Sequence, residues 1–329
     1  MTMKTEFEKP EIVVSRCLGF GHVRYDGSMI RSDEVEALKK YVNFTPVCPE
    51  VEIGLGIPRA VIRIIRIKNE DRLIQPSTGR DVTEQMNEFS DSFLSKTDKT
   101  DGFIMKNRSP SSGISNVNVY PGPDKSNKID KRPGFFGGAI IDRFPYYPVE
   151  DEGRLKNERI RENFLTRIFL LSELRKTESE GSIKDLRNYH HKNKTLLLSY
   201  SQRYLKILGN ITAENNRPDE ELFSCYRRNL LLATKRPVTY KSEINAFMHA
   251  FGQISDRLNK NEKDYFLESL ESYRKNLLPA VAVKKILFGW ALPDEKSDLK
   301  DQTFFRPYPD ELTFYRPESM QRGKDFSTD

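Results

Sequence analysis

Three short apolar runs in the first third of the chain, Ile12 to Val14, Phe44 to Val47 and Phe103 to Met105, each stop at a chemically able residue or a tight polar loop. Runs this short, bounded by turn residues, suit buried strands better than helices. The first leads into Ser15-Arg16-Cys17-Leu18-Gly19 and the second into Cys48-Pro49-Glu50. The third leads into Arg108-Ser109-Pro110-Ser111-Ser112-Gly113. If the strands are parallel, their carboxyl ends share one edge, where open α/β sheets place their ligands. Cys17, Cys48 and the Ser109 to Gly113 loop are therefore expected in one site.

Other segments up to about Phe144 keep this mixed texture. Ser32, followed by Asp33 and Glu34, has the signature of a helix N-cap. Val61 to Ile67 and Arg72 to Gln75 flank Lys68 to Asp71 as a hairpin does, and Thr83 to Leu94 reads as a helix. Alternation of strand, loop and helix predicts an α/β domain with a mainly parallel sheet. After the Gly- and Pro-rich stretch from Pro121 to Gly138 and the polar Val149 to Gly153, the period changes. Phe164, Ile168, Leu171 and Leu174 recur at helical spacing, as do Leu196, Tyr200, Tyr204 and Leu208, and Ile244, Met248 and Phe251. Breaks are expected at Gly181, Gly209, Pro218, Pro237 and Asn259 to Asn261. The expected division is an α/β domain over 1–152, an all-α helical domain over 153–305, and a tail over 306–329 whose polar end, Gln321 to Asp329, reads as disordered.

At 329 residues the chain has the length of about two domains. Its longest apolar runs, such as Leu277 to Val283, fall short of the ~20 residues a membrane span needs. The start, Met1 to Lys9, has no apolar signal region, and the chain has three cysteines. A cytoplasmic location without a disulfide framework is the expectation. A net charge of +6 favours anionic ligands mildly and does not define a nucleic-acid binder.

Thiolates at loop tips are the ligands of iron–sulfur clusters and of zinc, although two separated cysteines also serve as small buried hydrophobes. Glu50, two residues beyond Cys48, is placed to carry protons. The segments Arg24-Tyr25-Asp26-Gly27 and Gly54-Leu55-Gly56-Ile57-Pro58-Arg59 are dense in Gly, Pro and charge, as turns and binding surfaces both are. No ordered His/Cys set points to a zinc hydrolase.

The run from Val13 to Gly27, the segment Val47 to Arg59, Thr78-Gly79-Arg80-Asp81-Val82-Thr83-Glu84, and Arg108 to Gly113 resemble the thiouracil desulfidase family over roughly residues 10 to 150. The resemblance implies a 4Fe-4S cluster held by three cysteines, with one iron free to take the sulfur of a thiolated nucleobase. The first two cysteines fall on Cys17 and Cys48, and the acid of a Cys-Pro-Glu motif on Glu50. The third cysteine belongs to a Ser-Pro-Ser-Cys-Gly motif that here reads Ser-Pro-Ser-Ser-Gly, so Ser112 stands in its place. The implied roles are metal ligation for Cys17, Cys48 and Ser112, acid/base catalysis for Glu50, and orientation of substrate or water for Ser109 and Ser111. Arg24, Asp26 and Arg59 are expected at the substrate.

The second half resembles the helical YbgA-like domain through Tyr189 to Leu197, Tyr204 to Gly209, Asn245 to Gly252, and Glu262-Lys263 through Tyr273-Arg274 to Trp290. The resemblance assigns that domain no biochemical role. His190 and His249 read as satisfied polar groups between helices, and Cys225 as a packing residue. The basic stretch Arg187 to Lys206, with Tyr189, Tyr200 and Tyr204 interleaved, reads either as an RNA contact or as a solvated helix face. Two functions follow: a desulfidase acting on 2-thiouracil or a related base, or a cluster-deficient, non-catalytic or RNA-binding homologue.

Overall fold

The strands expected from the three apolar runs pair in parallel. In the computed structural model, which describes residues 7–124, 127–293 and 298–313, they are β1 (Glu11–Ser15), β2 (Asn43–Val47) and β6 (Gly102–Met105). Between β2 and β6 come β3 (Arg63–Ile67), β4 (Glu70–Gln75) and β5 (Arg80–Asp81), and after β6 come β7 (Val117–Tyr120), β8 (Asp130–Arg132) and β9 (Val149–Asp151). The first sheet has the order β2-β1-β6-β9 and every pairing in it is parallel. β1 and β6 are buried along nearly their whole length, as inner strands covered on both faces must be. β2 lies at the edge, where Pro46 has no second neighbour to which an N–H would be owed.

A second, mixed sheet of order β5-β4-β3-β7-β8 was not foreseen beyond its hairpin. β3 and β4 are antiparallel, and the two residues between them, Lys68 and Asn69, both have positive φ, which a tight hairpin turn with the strands' own twist requires.

The α/β unit includes the helices α1 (Asp33–Leu38), α2 (Pro49–Glu52), α3 (Thr83–Leu94) and α4 (Phe135–Arg143). Ser32 caps α1 as expected, its Oγ accepting from the Val35 amide. The two sheets and helices close over one core that includes Val13, Ile64, Leu73, Met86, Phe103, Val119, Phe136 and Ile140. Each such side chain contributes about 1.5–3 kcal/mol by leaving water.

The remaining helices are α5 (Glu158–Glu180), α6 (Ile183–Tyr200), α7 (Gln202–Ala213), α8 (Asp219–Thr234), α9 (Tyr240–Ile254), α10 (Lys260–Arg274), α11 (Ala280–Ala291) and α12 (Asp310–Thr313). The chain divides into one unit of residues 1–164 and 309–329 and another of 165–308, so the division falls inside α5. Buried Leu186, Leu196, Tyr226, Leu230, Phe247, Phe266 and Phe304 are among the core residues of the helical unit.

Two local expectations need correction. Leu196, Tyr200, Tyr204 and Leu208 do not share one helix, because Ser201 is extended and its hydroxyl caps α7 at the Tyr204 amide. Gly209 breaks nothing and lies inside α7. The first three residues of the polar Val149 to Gly153 stretch form β9 beside β6. At the start of the tail Tyr308 and Leu312 are buried, and the polar end Gln321 to Asp329, read as disordered, lies outside the described residues.

A further feature had no sequence signal. In α6 the His191 carbonyl and the Thr195 amide, one helical turn apart, are both bonded by the Gln302 side chain, which donates to the one and accepts from the other. The side-chain amide satisfies both backbone groups at once.

Candidate active site

The carboxyl ends of β1, β2 and β6 open into a cavity of about 390 Å³. Its wall includes Cys17, Arg24, Cys48, Glu50, Arg59, Ser109 and Ser112, so seven of the nine residues expected from sequence meet there. β1 and β2 run in register to Ser15 and Val47, and the Arg16 amide donates to the Val47 carbonyl, which carries Cys17 and Cys48 past the same edge. Cys48 is also the residue before α2, and Glu50 sits in the first turn of that short helix.

Glu50 is the hub. Its Oε1 accepts from Ser111 Oγ at 2.6 Å, and its Oε2 lies 3.4 Å from the Cys48 thiol and 3.8 Å from Arg59 Nη2. Arg59 and Glu50 are both largely buried, with 6% and 12% of their side chains exposed. Arg59 is held by the Val23 carbonyl at 2.8 Å, and its own amide donates to the Tyr25 carbonyl, tying together the two Gly-rich loops. Burial pushes the Cys17 thiol up to about 11, with the Glu50 charge adding to it and Lys106 and Arg24 opposing it. Burial and the same carboxylate push Cys48 up to about 12.

The serine loop forms a hydroxyl chain. Ser111 Oγ lies 3.0 Å from Ser109 Oγ and 3.2 Å from Ser112 Oγ, and the Ser112 amide donates to Ser109 Oγ. Ser111 is fully buried behind the wall rather than on it. Asp26 is the other residue off the wall. It accepts from the amide and hydroxyl of Ser28, bonds that hold its carboxyl below the usual range and close the turn of which Gly27 is part. Asp26 also lies 3.6 Å from Arg24 Nε, an atom that is buried without a hydrogen bond among the described residues.

Sequence reasoning missed three contributors. Lys106, at the end of β6, lines the cavity and pairs with Glu152, whose other oxygen accepts from the Asn107 amide. The signal was a charge ending a buried strand at the same edge. Gly134 and Gly137 clamp the serine loop onto the start of α4, where the amides of Gly134, Phe135 and Gly137 donate to the carbonyls of Gly113, Pro110 and Ser111. A Cβ on Gly137 would lie 2.3 Å from the Gly113 carbonyl oxygen. The motif Thr78 to Glu84, by contrast, is scaffold: Gly79 turns with φ +69°, and Thr83 Oγ1 accepts from the Leu73 amide.

In the helical unit, His190 accepts from or donates to Tyr226 across 3.0 Å, so it has a polar partner as expected. Tyr189 is buried with its hydroxyl on the Leu170 carbonyl, which removes it as a stacking platform for a base. Among the described residues no helix is long and apolar enough to cross a membrane.

An α/β domain with two thiols, a carboxylate and serine hydroxyls at one sheet edge defines the class, and the comparisons place the chain within it. Residues 12–152 match the family model 2-thiouracil desulfurase, and residues 194–309 match a protein of unknown function, DUF1722. The uncharacterized protein YbbK of Bacillus subtilis (strain 168) is 34% identical over 125 residues, 36% of this chain and 82% of its own length. The uncharacterized protein YbgA of Escherichia coli (strain K12) is 26% identical over 157 residues, 46% of this chain and 92% of its own. A solved structure, the 4Fe-4S-dependent thiouracil desulfidase TudS, is similar at 25% identity over 45% of this chain and 94% of its own, with a TM-score of 0.36. The chain belongs to the 2-thiouracil desulfurase family through its α/β part, joined to a YbgA-like helical part.

The donor set can be compared with the three-cysteine cluster that the resemblance implies. Cys17 and Cys48 offer soft sulfur at one cavity, but Ser112 offers a hydroxyl, and an alkoxide is harder and far more basic than a thiolate. Among the described residues no group of three or more His, Cys, Asp and Glu side chains is arranged to hold a metal ion. The set is one thiolate short and does not fit that cluster.

Proposed function

We propose that the chain is a desulfidase that exchanges the sulfur of a thiolated pyrimidine, 2-thiouracil or a related base, for oxygen from water. Family membership supports the reaction class, and one observation carries the reading to this site: the Glu50 carboxylate faces the cavity while bonded to a chain of serine hydroxyls. The exchange is a hydrolysis in which water adds to the thiocarbonyl carbon, a C–O bond forms, the C–S bond breaks and hydrogen sulfide leaves. No electron is gained or lost overall.

Each step has a side chain suited to it. Glu50 takes a proton from the attacking water, and Arg59 beside it holds the carboxylate in place. The protonated carboxyl then returns that proton to the leaving sulfur. Arg24 and Arg59 are suited to hydrogen-bond the oxygen and ring edge of the base, since guanidinium groups only donate. Val23, Val47 and Ile62 supply apolar wall against which a flat ring packs.

The test is anaerobic conversion of 2-thiouracil, followed as uracil and sulfide formed. Glu50→Gln keeps the shape of the side chain and loses the carboxylate that accepts and returns the proton, so turnover is expected to fall about a hundred- to ten-thousand-fold. Equal turnover in the two proteins removes Glu50 from the mechanism.

A further inference from the structure

We propose that Ser112 is a catalytic proton donor, the outer end of a relay that runs from Glu50 through Ser111 to the leaving sulfur. The proposal rests on the desulfidase reading and goes beyond it, since position 112 would be a metal ligand if the family resemblance held there.

The geometry has three parts. Ser111 Oγ touches Glu50 Oε1 at 2.6 Å and Ser112 Oγ at 3.2 Å, so one hydroxyl links the other two groups. Ser111 is fully buried and off the cavity wall, whereas Ser112 is on the wall with Cys17 and Cys48. The loop that carries both serines is clamped to α4 by close backbone contacts at Gly134 and Gly137, which fixes the spacing of the three oxygens.

A hydroxyl both donates and accepts, so it can pass a proton and be restored in the same step. With Glu50 ionised, Ser111 donates to Oε1. Once Glu50 has taken a proton from the attacking water, the direction reverses. Glu50 donates to Ser111, Ser111 donates to Ser112, and the Ser112 proton goes to sulfur as the C–S bond breaks. One proton has moved from carboxyl to sulfide, and both hydroxyls are as they began. The relay lets a single carboxylate collect a proton at the carbon and deliver it at the sulfur without moving. A thiolate bound to iron at position 112 has no proton to give, so the serine changes what this position can do.

Two readouts test this in the full chain. The first is turnover of 2-thiouracil with its dependence on deuterated water, alongside binding by equilibrium dialysis. Ser112→Ala and Ser111→Ala are each expected to lower kcat about ten- to a hundredfold with binding unchanged, and the double variant to lose little more, because both act in one chain. The wild type should show a curved dependence on deuterium fraction, from several protons in flight, and the single variants a straighter one. The second readout is iron and acid-labile sulfide per chain after anaerobic reconstitution, expected to be the same in wild type and Ser112→Ala. Iron lost in Ser112→Ala assigns Ser112 to metal ligation and overturns the relay, as does a Ser112→Ala protein with wild-type kcat. A wild type that converts no thiolated pyrimidine overturns the desulfidase reading and the relay with it, whereas turnover insensitive to both serines overturns the relay alone.

Discussion

At the scale of single residues, position 112 separates this chain from the pattern it otherwise follows. The surrounding Ser109, Pro110, Ser111 and Gly113 are retained, and the loop places residue 112 on the same wall as Cys17 and Cys48. Ser112→Cys should therefore complete a three-thiolate set. Anaerobic reconstitution is expected to raise iron and acid-labile sulfide per chain above the wild-type values, with visible charge-transfer absorbance. No gain, with both proteins empty, would mean that the loop does not aim residue 112 at the two thiols. Cys17, Cys48, Glu50 and Ser112 were legible because short motifs fix them to strand ends or tight loops. The placement of Ser111 was not legible, because only the fold of the loop turns its hydroxyl inward to Glu50 and leaves its neighbour on the wall. Asp26 looked like a binding residue for the reason that makes it a turn former: a short acidic side chain reaches the Ser28 amide two residues on.

At the scale of elements, the contact between the serine loop and α4 is what positions the chemistry. The stretch from Pro121 to Gly138 stood out only as Gly- and Pro-rich, since glycine for close approach and glycine for flexibility look alike in a sequence. The structure separates them. A Cβ on Gly137 would meet two backbone carbonyl oxygens, of Gly113 at 2.3 Å and Ser112 at 2.7 Å, neither of which can rotate away. On Gly138, one residue later in the same helix, it would meet only the Pro133 Cβ at 3.6 Å. Gly137→Ala is expected to cost about 1–3 kcal/mol and to reduce desulfidase turnover by displacing Ser112. Gly138→Ala is expected to be tolerated or to stabilise by about 0.5–1 kcal/mol. Urea unfolding midpoints of the two variants check this, and equal destabilisation would mean that the loop is not clamped at Gly137. The pairing of Gln302 with α6 belongs to the same scale. Its cause lies more than a hundred residues away along the chain, at a distance that periodicity does not reach.

For the whole molecule, the change from mixed to helical texture was legible because periodicity survives in any helix that buries a face. The second sheet was not, since β7 and β8 are short and β7 joins β3 through a pairing distant in sequence. The two units also differ in how acid should affect them. In the helical unit, burial, helped by the charges of Lys194 and His191, lowers His190 from 6.5 to about 4. Tyr226 is held protonated by its own burial, and its hydroxyl is hydrogen-bonded to Nδ1 of the neutral His190. The unfolded chain then binds more protons than the folded one between pH 6.5 and 4. His190 thus costs stability progressively as pH falls through that window, and no more below it. In the α/β unit, burial would raise the Asp71 carboxyl, but hydrogen bonds from Arg66 and Arg132 outweigh it and hold the group below its ordinary value. That contribution is present above the ordinary carboxylate pKa and is lost only as pH falls through the lower folded value. Hydrogen exchange followed by mass spectrometry, at pH 7, 5.5 and 4.5 with rates corrected for intrinsic chemistry, should show residues 183–234 losing protection while β3, β4 and β8 keep theirs. His190→Asn should flatten the response of the helical segment. Parallel loss of protection in both units, unchanged by His190→Asn, would show that His190 does not set the acid sensitivity of this fold.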